Sequence, residues 1–256
     1  MKGDIMPITR SQVKSKTMVA YILQSHDKSN IYLPDIEVLN QRNFEEMLEK
    51  HETVYLKPDR GRKSKGIIRI RRTEGLYLLR KSNEELEYKF DSQPSLWSSV
   101  RQWTSHTRYV IQQGINSVTK DNRYFDLRCH ALRIHGEWVI GGICARLGSP
   151  GNIVTTSHIG GTPILLDSLF TDFLGYSKED QDQVMEILQD CILNAVNVVS
   201  PVYPRNWEFA VDIGLDTDKR VWIYEVNNEP LIRGNFKLLT DKKLYEKIRY
   251  LRTIAK

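Results

Sequence analysis

Trp207-Glu208-Phe209-Ala210-Val211-Asp212 and, after a turn, Ile223-Tyr224-Glu225-Val226-Asn227-Asn228-Glu229-Pro230 form the stretch from which the rest of the chain is read. Apolar and polar residues alternate in both halves, the period of a strand with one face buried. Asp216-Thr217-Asp218-Lys219 between them is rich in turn formers, so a β-hairpin over Trp207–Leu215 and Arg220–Val226 is predicted. With two or four residues in the turn, Leu215 lies opposite Arg220 and Asp212 faces Ile223. Glu225 and Asn227 then share the face of Asp212. Phe209, Val211, Ile213, Trp222, Tyr224 and Val226 make the apolar face. A three-residue turn would slip the register and break this arrangement. Two carboxylates and an amide on one side of a strand pair suit magnesium, which completes its shell with water and phosphate oxygens. The competing reading is a half-exposed hairpin carrying ordinary surface acids.

A second segment lies upstream. In Thr53-Val54-Tyr55-Leu56-Lys57, Val54 and Leu56 point one way, while Thr53, Tyr55 and Lys57 point the other. Pro58 to Gly66 is then a basic loop bounded by Gly61 and Gly66, whose backbone N–H groups can approach phosphates closely. The spacing is neither a P-loop nor a dinucleotide-binding fingerprint, since it leads into a strand. A flexible basic hairpin tip is the plain alternative.

The chain has 256 residues, 40% hydrophobic and 27% charged, enough for one large domain or two lobes with their own cores. No apolar run approaches a membrane span, and Met1 to Thr17 has no apolar centre, so a cytoplasmic protein is predicted. Cys129, Cys144 and Cys191 lie far apart with no zinc-like spacing and read as reduced, buried thiols. The net charge of +5 owes much to Arg60, Arg62, Lys63, Lys65, Arg69, Arg71 and Arg72. That run lacks interleaved aromatics for base stacking, which argues against a nucleic-acid binder, and its place beside Gly61 and Gly66 favours a phosphate ligand over a merely solvated basic face.

Outward from these segments, helices are predicted over Ser15–Ser25, from an Asn43 cap to Lys50, over Ser92–His106, and from Asp241. A long helix starts at Ser177, with Asp180 completing its capping box and Val184, Ile187, Leu188, Cys191, Ile192, Ala195 and Val199 on its apolar face. Further strands are predicted over Ile67–Arg72, Leu76–Lys81, Tyr109–Gln112, Phe125–Ile134 and Trp138–Arg146. Strands and helices mix without strict alternation, so the class is α+β, with two lobes, residues 1–114 and 115–256, hinged near Gly114.

Val54-Tyr55-Leu56-Lys57-Pro58, the Gly61 to Gly66 loop, Tyr109-Val110-Ile111-Gln112-Gln113-Gly114-Ile115, Phe125-Asp126-Leu127-Arg128, the Arg146 to Gly161 segment, Val211-Asp212 and Glu225-Val226-Asn227 follow one another in a set order. In that order they resemble the ATP-grasp superfamily and, within it, the YheC/YheD endospore coat-associated proteins. The resemblance implies an ATP-grasp fold, with ATP held between two antiparallel sheets. Only about fifteen residues precede the first predicted helix, so the usual N-terminal α/β domain is expected to be mostly missing. Lys57 would hold the adenine or α-phosphate side of ATP, with Lys16, or Lys14 in its place, as a second phosphate-binding lysine. The loop with Gly61, Ser64, Lys65 and Gly66 would cover the β- and γ-phosphates. Gln112, Gln113 and Ile115 would flank adenine. Asp212, Glu225 and Asn227 would hold Mg2+, and Arg128 and Arg146 would face the γ-phosphate and an acyl-phosphate.

The implied activity is an ADP-forming carboxylate–amine ligase. Its substrates would be ATP and a carboxylate and an amine from an amino acid, peptide or protein terminus, with spore coat proteins as partners and no membrane. Such chemistry works by positioning and charge, so no triad is required, and His158 near the site has no visible partner for a general-base role. Two alternatives stay open: a kinase on the same scaffold, and an ATP-binding assembly protein with little turnover.

Overall fold

The computed structural model describes residues 15–61, 64–82 and 84–256. Lys14, Arg62 and Lys63 therefore lie outside the described residues. Strands β1 (Ile36–Val38), β2 (Thr53–Pro58), β3 (Ile68–Thr73), β4 (Leu76–Lys81), β5 (Glu87–Phe90) and β6 (Tyr109–Gln113) form one antiparallel sheet in the order β1-β6-β2-β3-β4-β5. Strands β7 (Phe125–Ile134), β8 (Glu137–Leu147), β9 (Thr162–Leu165), β10 (Glu208–Leu215) and β11 (Val221–Asn227) form a second, ordered β11-β10-β7-β8-β9. The helices are α1 (Lys16–Gln24), α2 (Asp27–Asn30), α3 (Gln41–Lys50), α4 (Gln93–Thr104), α5 (Leu166–Ser168), α6 (Lys178–Val199) and α7 (Lys243–Ile254). None of them is long and apolar enough to cross a membrane.

Each sheet has its own core. Val54, Leu56, Ile70 and Leu79 of the first sheet pack on Phe44 and Leu48 of α3 and on Leu96 and Val100 of α4. Leu127, Cys129, Phe209, Val211 and Ile213 of the second pack under Val184, Leu188, Ile192 and Val199 of α6, with Val19 and Leu23 of α1 in the same cluster. Every fully buried side chain of this size stabilises the fold by roughly 1.5–3 kcal/mol. The Ser177–Asp180 capping box opens α6 as its sequence implies. Ile187 does not join the apolar face of α6; it is 39% exposed. The helix that ends at Lys50 starts earlier than expected, because Asn40 rather than Asn43 caps it, accepting from Asn43 N at 2.9 Å. All three cysteines are buried and free.

The hairpin departs from expectation in an instructive way. Leu215 lies opposite Val221, not Arg220, and Asp212 lies opposite Glu225, not Ile223. Asp216 closes the turn with its own carboxylate, which accepts from the backbone N of Asp218 and Arg220 and from Trp222 Nε1. Lys219 takes a positive φ of 64°, the form of a three-residue loop. That odd loop would turn Glu225 away from Asp212. A β-bulge between Ile223 and Glu225 shifts the register again and restores the match. The three-residue loop by itself takes Trp222 and Tyr224 off the core face, and the bulge, with Tyr224 as the extra residue, keeps Val226 on it with Val221 and Ile223. The expected apolar roles of Trp222 and Tyr224 are thus corrected, whereas the shared face of Asp212, Glu225 and Asn227 stands.

Candidate functional site

The two sheets enclose a cavity of about 1720 Å3. Its upper wall is β2, the loop after it, and the first turn of α1. Asp59, buried just past β2, accepts from Thr17 N, Thr17 Oγ1 and Ser15 Oγ at 2.8–3.0 Å. Burial opposes its charge, but these hydrogen bonds outweigh that and hold the carboxyl below its ordinary range. This clamp puts Lys16 and Lys57 in one cleft. Lys16 Nζ donates to the Gly61 carbonyl at 3.2 Å and pairs with Glu225 Oε1 at 3.1 Å. Lys57 Nζ donates to the Gln112 side-chain oxygen and sits 5.4 Å from the Tyr224 ring centre. Burial pushes its pKa down to about 8, with Glu225 opposing the shift and Lys16 adding to it.

The floor is the charged face of the second sheet. Glu225, Asp212 and Arg128 stand opposite one another across β11, β10 and β7, and Asp126 faces Arg146 across β7 and β8. Arg128 Nη1 meets Asp212 Oδ1 at 2.7 Å. Arg146 binds both oxygens of Asp126, at 2.7 and 2.6 Å, and reaches Asp212 Oδ2 at 3.2 Å. Thr155 Oγ1 also donates to Asp126, at 2.8 Å. Burial alone would raise the Asp212 carboxyl, yet the guanidinium groups of Arg128 and Arg146 outweigh it and hold the carboxyl below its usual range. The alternation of β7 explains the layout: Phe125, Leu127 and Cys129 enter the core, so Asp126 and Arg128 face the cleft.

Among the described residues, no group of three or more His, Cys, Asp or Glu side chains is placed to hold a metal ion. The donor set on the floor is instead two carboxylates and an amide. Asn227 Nδ2 donates to Asp212 Oδ2 at 3.3 Å, and its amide oxygen, which accepts from no side chain among the described residues, can act as a ligand. An all-oxygen set of this size fits magnesium if phosphate oxygens and water supply the rest.

Lys16, Lys57, Gly61, Ser64, Lys65, Gln112, Gln113, Ile115, Arg128, Arg146, Asp212, Glu225 and Asn227 all line this one cavity. Gly66 does not; it has a positive φ of 74° and packs where a Cβ would meet the Tyr109 hydroxyl at 2.8 Å. Gln113 Oε1 accepts from Asp35 N at 3.2 Å, tying β6 to the segment before β1. Sequence reasoning passed over Asp126, Thr155, Tyr224 and Ser117. Asp126 sat inside a quoted motif, but its partner is set by the β7–β8 register. Tyr224 lies 2.9 Å from Ser117 Oγ because the three-residue loop turns it off the core face.

The sequence matches the family described as "YheC/D like ATP-grasp" over residues 5–253. Two curated relatives come from Bacillus subtilis (strain 168). The endospore coat-associated protein YheD is 23% identical over 84% of this chain and 48% of its own length. The endospore coat-associated protein YheC is 25% identical over 84% and 59%. The chain therefore spans only about half the length of these relatives. Among solved structures, the ATP-grasp ligase PsnB complexed with minimal precursor, Mg and ADP superposes with a TM-score of 0.52 at 12% identity, covering 93% of this chain and 58% of that one. That likeness bears on the fold alone.

Proposed function

Because the chain belongs to the YheC/D-like ATP-grasp family and folds as two antiparallel sheets around a charged cleft, we propose that it binds ATP with magnesium there and joins a carboxylate to an amine. The observation that carries this reading is the opposed Asp212–Glu225 pair, backed by Arg128 and Arg146 and faced by Lys16 and Lys57. A polyphosphate needs several cations and oxygen ligands for a metal, and residues able to supply both line this one cavity.

In this proposal Gln112, Gln113 and Ile115 flank the adenine, and Lys57 and Lys16 bind the phosphates. The loop carrying Gly61, Ser64, Lys65 and Gly66 lies over the β- and γ-phosphates. Asp212, Glu225 and Asn227 hold magnesium, which when bound neutralises phosphate charge. A substrate carboxylate oxygen attacks the γ-phosphorus, the bond to the β-phosphate oxygen breaks, and ADP leaves. Arg128 and Arg146 steady the charge on the acyl-phosphate. An amine nitrogen then attacks the acyl carbon, phosphate leaves with the bonding pair, the nitrogen gives up its proton, and an amide remains. Residues 1–114 and 115–256 act as two lobes closing about Gly114, and the names of YheC and YheD support a place at the spore coat. The test is ADP release. Release stimulated only by a carboxylate and an amine together supports ligation. Phosphate retained on a substrate without amine points to a kinase. Magnesium-dependent ATP binding with no turnover points to an assembly role.

A further inference from the structure

The cavity is larger than a nucleotide requires. Pockets for small organic ligands reach about 1,000 Å3, and this one encloses about 1720 Å3, so space remains beside ATP. Three stretches outside the carboxylate floor wall it: residues 155–158 between β8 and β9, 202–206 ahead of β10, and 228–235 after β11. They brace one another. Asn206 Nδ2 donates to the Asn228 carbonyl at 2.6 Å, and Gly234 lies so close to Ser157 that an added Cβ would sit 3.4 Å from its Oγ.

Each stretch brings a basic side chain to the cavity: His158, Arg205 and Arg233. Both arginines are exposed, and neither has an ion-pair partner among the described residues. Glu229, the acid on the same wall, is not free. The two arginines thus bring positive charge to a wall that lies outside the Asp126–Arg146 and Asp212–Arg128 pairs of the floor. Leu231, 66% exposed, lines the same wall between them in sequence. Two guanidinium groups carried on different stretches, with an exposed leucine on the same wall, suit a peptide with more than one carboxylate better than one compact anion.

We propose that this wall is the acceptor subsite and that it selects an acidic peptide, one carrying carboxylates beyond the one that is phosphorylated. The inference rests on the ATP-site reading above. Arg205 and Arg233 pair with the flanking carboxylates, while the reacting one meets Arg128 and Arg146.

The test uses the full chain in two stages. Calorimetry with magnesium and the non-hydrolysable analogue AMPPNP examines the nucleotide reading by itself. The loaded protein is then titrated with triglutamate and with triglutamine at equal ionic strength. Triglutamate should bind about tenfold more tightly, the sum of two partly screened ion pairs. Arg205→Gln with Arg233→Gln should bring the two peptides within about twofold of each other. Thermal unfolding checks that the double variant folds, and the two single variants replace it if it does not. Equal affinity for both peptides in protein that holds the nucleotide overturns the inference and leaves the ATP site standing. A variant that keeps the full preference overturns it too, as does inorganic phosphate competing as well as triglutamate. Failure to bind AMPPNP at the first stage removes the ATP reading, and this inference with it.

Discussion

Asp212→Asn removes the negative charge that sits between two guanidinium groups. Arg128 and Asp212 are 2.7 Å apart, with side chains only 8% and 13% exposed. Arg146 keeps both oxygens of Asp126, so the loss falls mainly on Arg128. Stranding one charge of a buried pair costs about 3–5 kcal/mol. The Asn oxygen can still accept from Arg128 and the cleft admits water, so about 2–3 kcal/mol is expected here. At about 2–4 °C per kcal/mol for a chain of this size, the nucleotide-free protein should melt roughly 4–12 °C lower. The pH dependence has a definite sign. The Asp212 carboxyl titrates below its ordinary range when folded. Its contribution is therefore fully present above the unfolded value, about 3.9, and is lost as pH falls through the folded value. Melting curves of both proteins from about pH 7 to pH 3 should show a wide gap that narrows in acid. A gap below about 1 °C at neutral pH, or one that widens on acidification, refutes the reasoning.

Lys57 gives up its proton near pH 8 in the free protein, and a phosphate beside it would favour the charged form. Nucleotide binding at about pH 8–9 should then take up protons, read as a heat that varies with buffer ionisation enthalpy; if Lys57→Met leaves the uptake intact, another group is responsible. Gly214→Ala would set a Cβ 2.1 Å from the Tyr224 hydroxyl and 2.7 Å from Ser117 Oγ. A loss of about 1–3 kcal/mol is expected, recovered in part by adding Tyr224→Phe; a variant that melts like the wild type would show that the close approach is absent.

Residues whose role depends on their own strand were legible in the sequence. Val54 and Leu56 enter the core and Lys57 faces the cleft because alternation decides it, and Ser177 with Asp180 opens α6 as a local motif should. What depends on a neighbouring strand was not. Asp126 gains its meaning only when β8 sets Arg146 opposite. The hairpin faces came out right for Asp212 and Glu225 through two register changes that no alternation pattern contains, the odd loop held by Asp216 and the bulge at Tyr224. The short edge strands β1, β5 and β9 were missed for a related reason. Three or four residues carry too little periodicity to read, and these strands form by pairing with a sheet already in place.

The most direct test of the central claim, that ATP and magnesium share the face of Asp212, Glu225 and Asn227, is a calorimetric titration with ATP. It compares the wild type with Asp212→Asn/Glu225→Gln, in magnesium and in EDTA, below the melting point of the variant. The wild type should bind at least about tenfold more tightly with magnesium, and the variant should lose that difference. A folded variant that keeps the wild-type affinity and its magnesium dependence would contradict the account.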